Sequence, residues 1–80
     1  MKRQNHDLQT RIATPDGGVA RTIYDKVRSW AHVTNQSTIV AHLAGRDVYV
    51  EPCVPRAVIE RSLIGYRGRK PVRVQYAYRS

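Results

Sequence analysis

The side chains with the clearest chemistry in this sequence are basic, and they are concentrated near its end. After Glu60 the chain has no acidic residue but six basic ones, and eleven of its fourteen basic residues are Arg. The planar guanidinium group of Arg binds phosphate and carboxylate through paired hydrogen bonds. This concentration predicts an anionic partner, although a basic surface can also serve only to keep a small protein soluble. The candidate binding residues in this part of the chain are Arg67, Arg69, Lys70, Arg73 and Arg79.

Two side chains from the middle of the sequence complete the candidate binding site. His42 and Tyr49 alternate with apolar residues, so both are predicted on the solvent side of a β-hairpin. A tyrosine ring on such a surface can stack on a nucleic-acid base. The predicted partner is therefore nucleic acid or an acidic protein surface, alone or as part of a nucleoprotein complex.

The sequence carries no recognisable set of catalytic or metal-binding residues. His6, His32, His42 and Cys53 are too scattered for a structural zinc site, which needs close pairs of ligands. Cys53 lies beside two prolines and is predicted to be a small buried residue rather than a nucleophile activated by His42. No glycine-rich phosphate-binding motif occurs. We therefore expect no metal, no cofactor and no enzymatic activity.

Length and composition indicate one small domain. The chain has 80 residues, of which 41% are hydrophobic and 25% charged, as is common in soluble globular proteins. The polar start predicts a flexible tail over residues 1–7 and a single α+β domain over 8–80. The basic start is not followed by the apolar segment of a signal peptide, and no apolar run could span a membrane. A lone cysteine favours a reducing compartment, so the expected location is cytoplasmic and a membrane is not an expected partner.

Two helices are predicted to support the candidate site. The longer one covers residues 16–32, with Asp16 placed to cap its first turn. The shorter one covers residues 55–64, opened by a proline and stopped by Gly65. A stripe of apolar residues at helical spacing predicts the core side of the longer helix. That stripe consists of Val19, Ile23, Val27 and Trp30, widened by Ala20, Tyr24 and Ala31.

Residues 38–51 predict a β-hairpin with Gly45 and Arg46 at its tip, because glycine suits the first central position of a type II′ turn. This register pairs His42 with Tyr49. An alternative interpretation makes residues 35–45 the second helix of a helix-turn-helix, but the β-branched residues at positions 38–40 favour a strand. The hairpin alternation predicts that Ile39, Ala41, Leu43, Val48 and Val50 face the core, and that Val40, His42, Tyr49 and Glu51 face away.

Two further strands are predicted, over residues 8–13 and over residues 72–79. The resulting order, (β)αββαβ, predicts an α+β fold with two helices packed on one face of a three- or four-stranded, mainly antiparallel sheet. With the first strand present, the ferredoxin-like split βαβ arrangement is expected. Many unrelated functions use this arrangement, so it assigns none by itself.

Three functional hypotheses follow. The first is a small non-enzymatic basic protein that engages nucleic acid, or a complex that handles nucleic acid, through an Arg-rich C-terminal surface. The second is an inhibitor encoded by a phage or mobile element, which blocks a host defence machine such as a CRISPR effector complex by direct protein contact. The third is a small metal-independent RNase that uses Arg and Tyr of the last strand. Against the third, the alternation turns Tyr76 and Tyr78 toward the core and away from Arg73 and Arg79.

Overall fold

The structure, a computed structural model, describes residues 9–35, 39–66 and 71–77. The predicted tail, residues 1–7, lies outside the described residues. Along the chain the elements follow the predicted order βαββαβ, with the first strand present. They are β1 (Thr10–Ala13), α1 (Gly17–Val33), β2 (Ala41–Ala44), β3 (Asp47–Val50), α2 (Arg56–Ser62) and β4 (Arg73–Gln75).

The four strands form one sheet in the order β2-β3-β1-β4, and every neighbouring pair is antiparallel. Each helix therefore connects two strands that run parallel to each other but have a third strand between them. This is the interleaving of a split βαβ fold. It places β1 and β3 in the centre of the sheet and leaves β2 and β4 at its edges.

Both helices pack on one face of the sheet, as predicted. Alternate residues of the two central strands point to that face, and Ile12, Val48 and Val50 have no exposed surface. They pack in one core with the buried sides of both helices. The helical residues of this core are Ala20, Ile23, Val27 and Ala31 from α1, with Val58 and Ile59 from α2.

The start of α1 is confirmed in detail, because the Asp16 carboxylate accepts a hydrogen bond from the Val19 amide at 3.0 Å.

The predicted core stripe of α1 needs one correction. Val19 and Trp30 are only half-buried, and the indole borders a cleft where α1 meets α2. The side of α1 that faces the core is centred on Ala20 and Ala31, not on Val19 and Trp30. Either pair forms a helical stripe with Ile23 and Val27, so periodicity alone could not distinguish these two orientations of the helix.

The hairpin has the predicted register, with His42 opposite Tyr49. Residues 41–44 are a strand, so the helix-turn-helix interpretation is wrong. The predicted faces are also wrong at Ile39 and Val40: Ile39 is 69% exposed, whereas Val40 is buried. Regular strand structure begins only at Ala41, and the two-residue alternation therefore does not extend to these positions.

The tip of the hairpin supports a prediction about stability. Gly45 has a φ of 63°, where a residue with a Cβ is strained, so Gly45→Ala should lower the free energy of unfolding by about 1 to 2 kcal/mol. A Cβ there would meet no atom within 4 Å, which leaves backbone strain as the cause. Gly17→Ala, in the first turn of α1, is the control and should cause no loss. Urea denaturation of both variants is the measurement, and equal losses would contradict the assignment.

The link between β3 and α2 corrects a second expectation. Cys53 is exposed, not buried, whereas its neighbour Val54 is completely buried. In so tight a link only one of two adjacent side chains turns inward, and the larger apolar one does so. Pro55 is the N-cap of α2, one position before the first helical residue that the sequence predicts it to be.

Candidate functional site

Three of the seven predicted site residues lie in the described part of the chain. His42 is on β2, Tyr49 on β3 and Arg73 on β4. All three point away from the helices, onto what we term the open face of the sheet. The described side chains of the open face are Gln9, Arg11, Ala13, His42, Ala44, Asp47, Tyr49, Glu51, Arg73 and Gln75. The other four predicted residues, Arg67, Arg69, Lys70 and Arg79, lie outside the described residues.

One row of side chains crosses all four strands of the open face. In sheet order it consists of His42, Tyr49, Arg11 and Gln75, each directly opposite the next. Neighbouring strands are about 4.8 Å apart, so the row is roughly 14 Å long. Every member ends in a flat polar group, namely an imidazole, a phenol, a guanidinium and an amide. Tyr49 is half-buried and the other three are exposed.

Two carboxylates lie against members of this row, and one of them holds Arg11 by hydrogen bonds. Asp47 accepts hydrogen bonds from Nε and Nη2 of Arg11, at 3.2 and 3.0 Å. Glu51 accepts a hydrogen bond from Gln9 at 2.6 Å, and the same carboxylate oxygen lies 3.6 Å from Nε2 of His42. The ion pair of Arg11 is exposed, so it orients the guanidinium but contributes at most about 1 kcal/mol to stability.

The described part of the open face is less basic than the surface that the composition predicts. Among the described residues of this face, Arg11 and Arg73 are matched by Asp47 and Glu51. The described part of the face is therefore close to neutral when His42 is uncharged. It offers flat rings and hydrogen-bonding edges more than it offers net positive charge.

A cleft lies over the paired strands β1 and β4, at the Arg11 and Gln75 end of the row. It has a volume of about 380 Å³, and the small side chain of Ala13 is part of its lining. Arg11, Arg73 and Gln75 line it. Two guanidinium groups and an amide at one cleft can bind a phosphate or the hydrogen-bonding edge of a base.

The sequence does not single out Arg11 as a site residue. Arg11 alternates with Thr10 and Ile12, and Gln75 follows the same alternation as Arg73 on the last strand, so this signal could have placed both on a surface. Which strand lies next to which is decided by contacts distant in the chain, since Arg11 and its partner Asp47 are 36 residues apart. Only the sheet order brings Arg11 beside Tyr49.

Tyr76 lies on the helix side of the sheet, as the alternation predicts. Its hydroxyl donates a hydrogen bond to Glu60, and the Arg56 guanidinium lies 4.1 Å from the centre of its ring. The sheet therefore separates this phenol from Arg73. The Tyr and Arg side chains that the RNase hypothesis invokes are on opposite faces at these two positions.

No group of three or more His, Cys, Asp or Glu residues within 9–35, 39–66 and 71–77 is arranged to hold a metal ion. None of the helices described above is long and apolar enough to cross a membrane. Comparison of the chain with protein-family models, curated proteins and solved structures gave no significant match.

Proposed function

We propose that this protein is a non-enzymatic module that binds single-stranded nucleic acid across the open face of its sheet. The observation that carries this proposal is the cross-strand row of His42, Tyr49, Arg11 and Gln75. Bases of a single strand expose their flat faces and their hydrogen-bonding edges together, and a row of flat polar side chains complements both. A duplex hides its base faces, so it is the poorer ligand for this surface.

Each member of the row has a distinct part in the proposed complex. The Tyr49 ring stacks on a base, while Arg11, which Asp47 keeps oriented, lies over or beside the next base. Gln75 and His42 donate to and accept from base edges at the two ends of the row. The cleft between Arg11 and Arg73 takes a phosphate of the backbone. Four-stranded sheets with helices on one side bind single-stranded RNA in this way in other proteins, an analogy of fold only.

The basic residues outside the described region enter this proposal as backbone contacts. Arg67, Arg69, Lys70 and Arg79 would attract phosphate groups without reading sequence. Because Asp47 and Glu51 offset the charge of the open face, stacking rather than charge is proposed to supply most of the affinity at that face.

The test is fluorescence anisotropy of labelled oligouridylate and oligothymidylate of about ten nucleotides, a length that one small sheet can cover. We expect binding whose log affinity falls linearly with log salt, with a slope of about −0.7 per phosphate contact. A duplex of equal length should bind more weakly. Tighter binding of oligouridylate than of oligodeoxyuridylate, which differs from it only at the 2′ position, would indicate contacts to the 2′-hydroxyl. Absence of binding to both single strands at about 50 mM salt would overturn the proposal.

A further inference from the structure

A second surface lies between α1 and the edge strand β2, and it shares only His42 with the cross-strand row of the open face. It is a groove of about 710 Å³ on the helix side of the sheet. We term it the edge groove. The lining residues that matter for the argument are Arg21, Tyr24, Arg28, His32, Ile39 and Leu43.

The free edge of β2 forms one wall of the edge groove. The Glu51 amide donates to the Val40 carbonyl at 2.9 Å, which fixes the alternation of paired and unpaired positions along the strand. By that alternation, Ala41 and Leu43 direct their N–H and C=O groups outward. No described strand pairs with this side of β2. Unpaired groups in such an array are a template for another strand.

The other wall of the edge groove is cationic. Arg21 and Arg28 project from α1 with His32 beside them, and none of the described lining residues is acidic. Asp25 lies 3.5 Å from Arg21, which offsets part of that charge. Arg28 is held against Tyr24, with its guanidinium carbon 5.6 Å from the ring centre.

The floor and rim of the edge groove add apolar area. Ile39 is 69% exposed and Leu43 is 37% exposed, and both border the groove. Large aliphatic side chains at a strand edge match the aliphatic side chains of an added strand. The edge groove therefore combines backbone hydrogen-bonding groups, cations and apolar contacts along one line.

We infer that the edge groove binds an extended acidic peptide segment of a protein partner, which adds to β2 as a further strand and directs its carboxylates toward α1. Peptide addition to a sheet edge takes its affinity from main-chain hydrogen bonds and its specificity from side-chain contacts. Charge complementarity selects an acidic segment here. A nucleic-acid backbone has no matching ladder of N–H and C=O groups, and a second copy of this chain would bring like charges together.

Amide hydrogen exchange measured by NMR tests strand addition directly. The probe is a peptide of about eight residues that alternates Glu with Val, a usual length for one strand. We expect it to slow exchange of the Ala41 and Leu43 amides, which point outward in the free protein. The same peptide with Gln for Glu should bind more weakly, and one with Lys for Glu should not bind. Equal binding of the Lys peptide, or binding without protection of these two amides, would overturn the inference.

A charge reversal on α1 supplies the matched comparison. Arg28→Glu should weaken binding of the Glu-Val peptide at least tenfold, because it replaces attraction by repulsion at the groove wall. Lys26→Glu makes the same charge change on the same helix, beside the separate cleft that Trp30 borders, and should have little effect. Equal losses in the two variants would refute a site at the edge groove.

Two further measurements keep the result independent of protein stability and of nucleic-acid binding. A fully N-methylated Glu-Val peptide keeps its charge but lacks donors, so it should bind at least tenfold more weakly to the unaltered protein. Oligouridylate should leave exchange of the Ala41 and Leu43 amides unchanged. Protection of these amides by oligouridylate, or equal binding of the N-methylated peptide, would contradict strand addition whatever the outcome at the open face.

Discussion

Ile23→Ala should lower the free energy of unfolding by about 2 to 5 kcal/mol, because it removes a side chain that has no exposed surface and leaves a cavity between α1 and the sheet. A domain of this size has about 4 to 12 kcal/mol of stability in total. The variant is therefore expected to be substantially unfolded at 37 °C or to melt far below the parent protein. Urea denaturation followed by circular dichroism measures the change.

The same substitution at the surface is the control for this prediction. Ile39→Ala, at a position 69% exposed, should change the free energy of unfolding by less than about 0.5 kcal/mol. The loss in free energy of unfolding for Trp30→Ala should lie between those of Ile23→Ala and Ile39→Ala. The indole is only half-buried, because it lines the cleft between α1 and α2 and does not fill the core. A larger loss for Trp30→Ala than for Ile23→Ala would mean that α1 is rotated differently from the structure described above.

Tyr49→Ala should weaken binding of single-stranded oligouridylate by roughly 5- to 150-fold, which corresponds to the loss of one stacking interaction of about 1 to 3 kcal/mol. The residue is the only aromatic ring in the cross-strand row apart from the imidazole of His42. Tyr49 lies on β3, with His42 of β2 opposite it on one side and Arg11 of β1 on the other, so its ring is central to the row. Anisotropy titration of the variant at fixed salt is the measurement.

Three variants make this result specific. Tyr49→Phe retains the ring and should bind within about threefold of the parent protein, since stacking carries most of the effect. Tyr24→Ala removes a phenol of the same type from the edge groove and should not affect oligouridylate binding. Arg11→Gln should weaken binding and reduce the salt slope, because its guanidinium borders the cleft that takes a phosphate in the proposed complex. Loss of binding in Tyr24→Ala with none in Tyr49→Ala would move the nucleic-acid site away from the open face.

Charge and stacking make separable contributions to the proposed complex. Composition directs attention to the Arg-rich end of the chain, whereas the described open face is nearly neutral. Screening by salt weakens interactions between exposed charges but hardly affects stacking. The binding that persists at high salt should therefore depend on Tyr49, and the binding lost with salt should depend on the basic residues.

The sequence by itself determined the features that rest on local interactions. The cap at Asp16, the extent of α1 and the register of the hairpin follow from neighbouring residues, because capping, helical periodicity and a two-residue turn each involve a few positions only. The strand alternation also placed Tyr49 and Arg73 on the solvent side of the sheet. These features depend on interactions within a short segment and do not require contacts with the rest of the chain.

Only the tertiary structure decided which strands are neighbours, and which residues at the border of the core are buried and which are exposed. The order β2-β3-β1-β4 puts Arg11 beside Tyr49 and leaves the edge of β2 free, and neither result is encoded in any one segment. The burial of Val54 in place of Cys53, and the position of Trp30 at the core border, depend on the space that the packed helices leave. Periodicity identifies an apolar face, but close packing of distant segments decides which of its members fill the core.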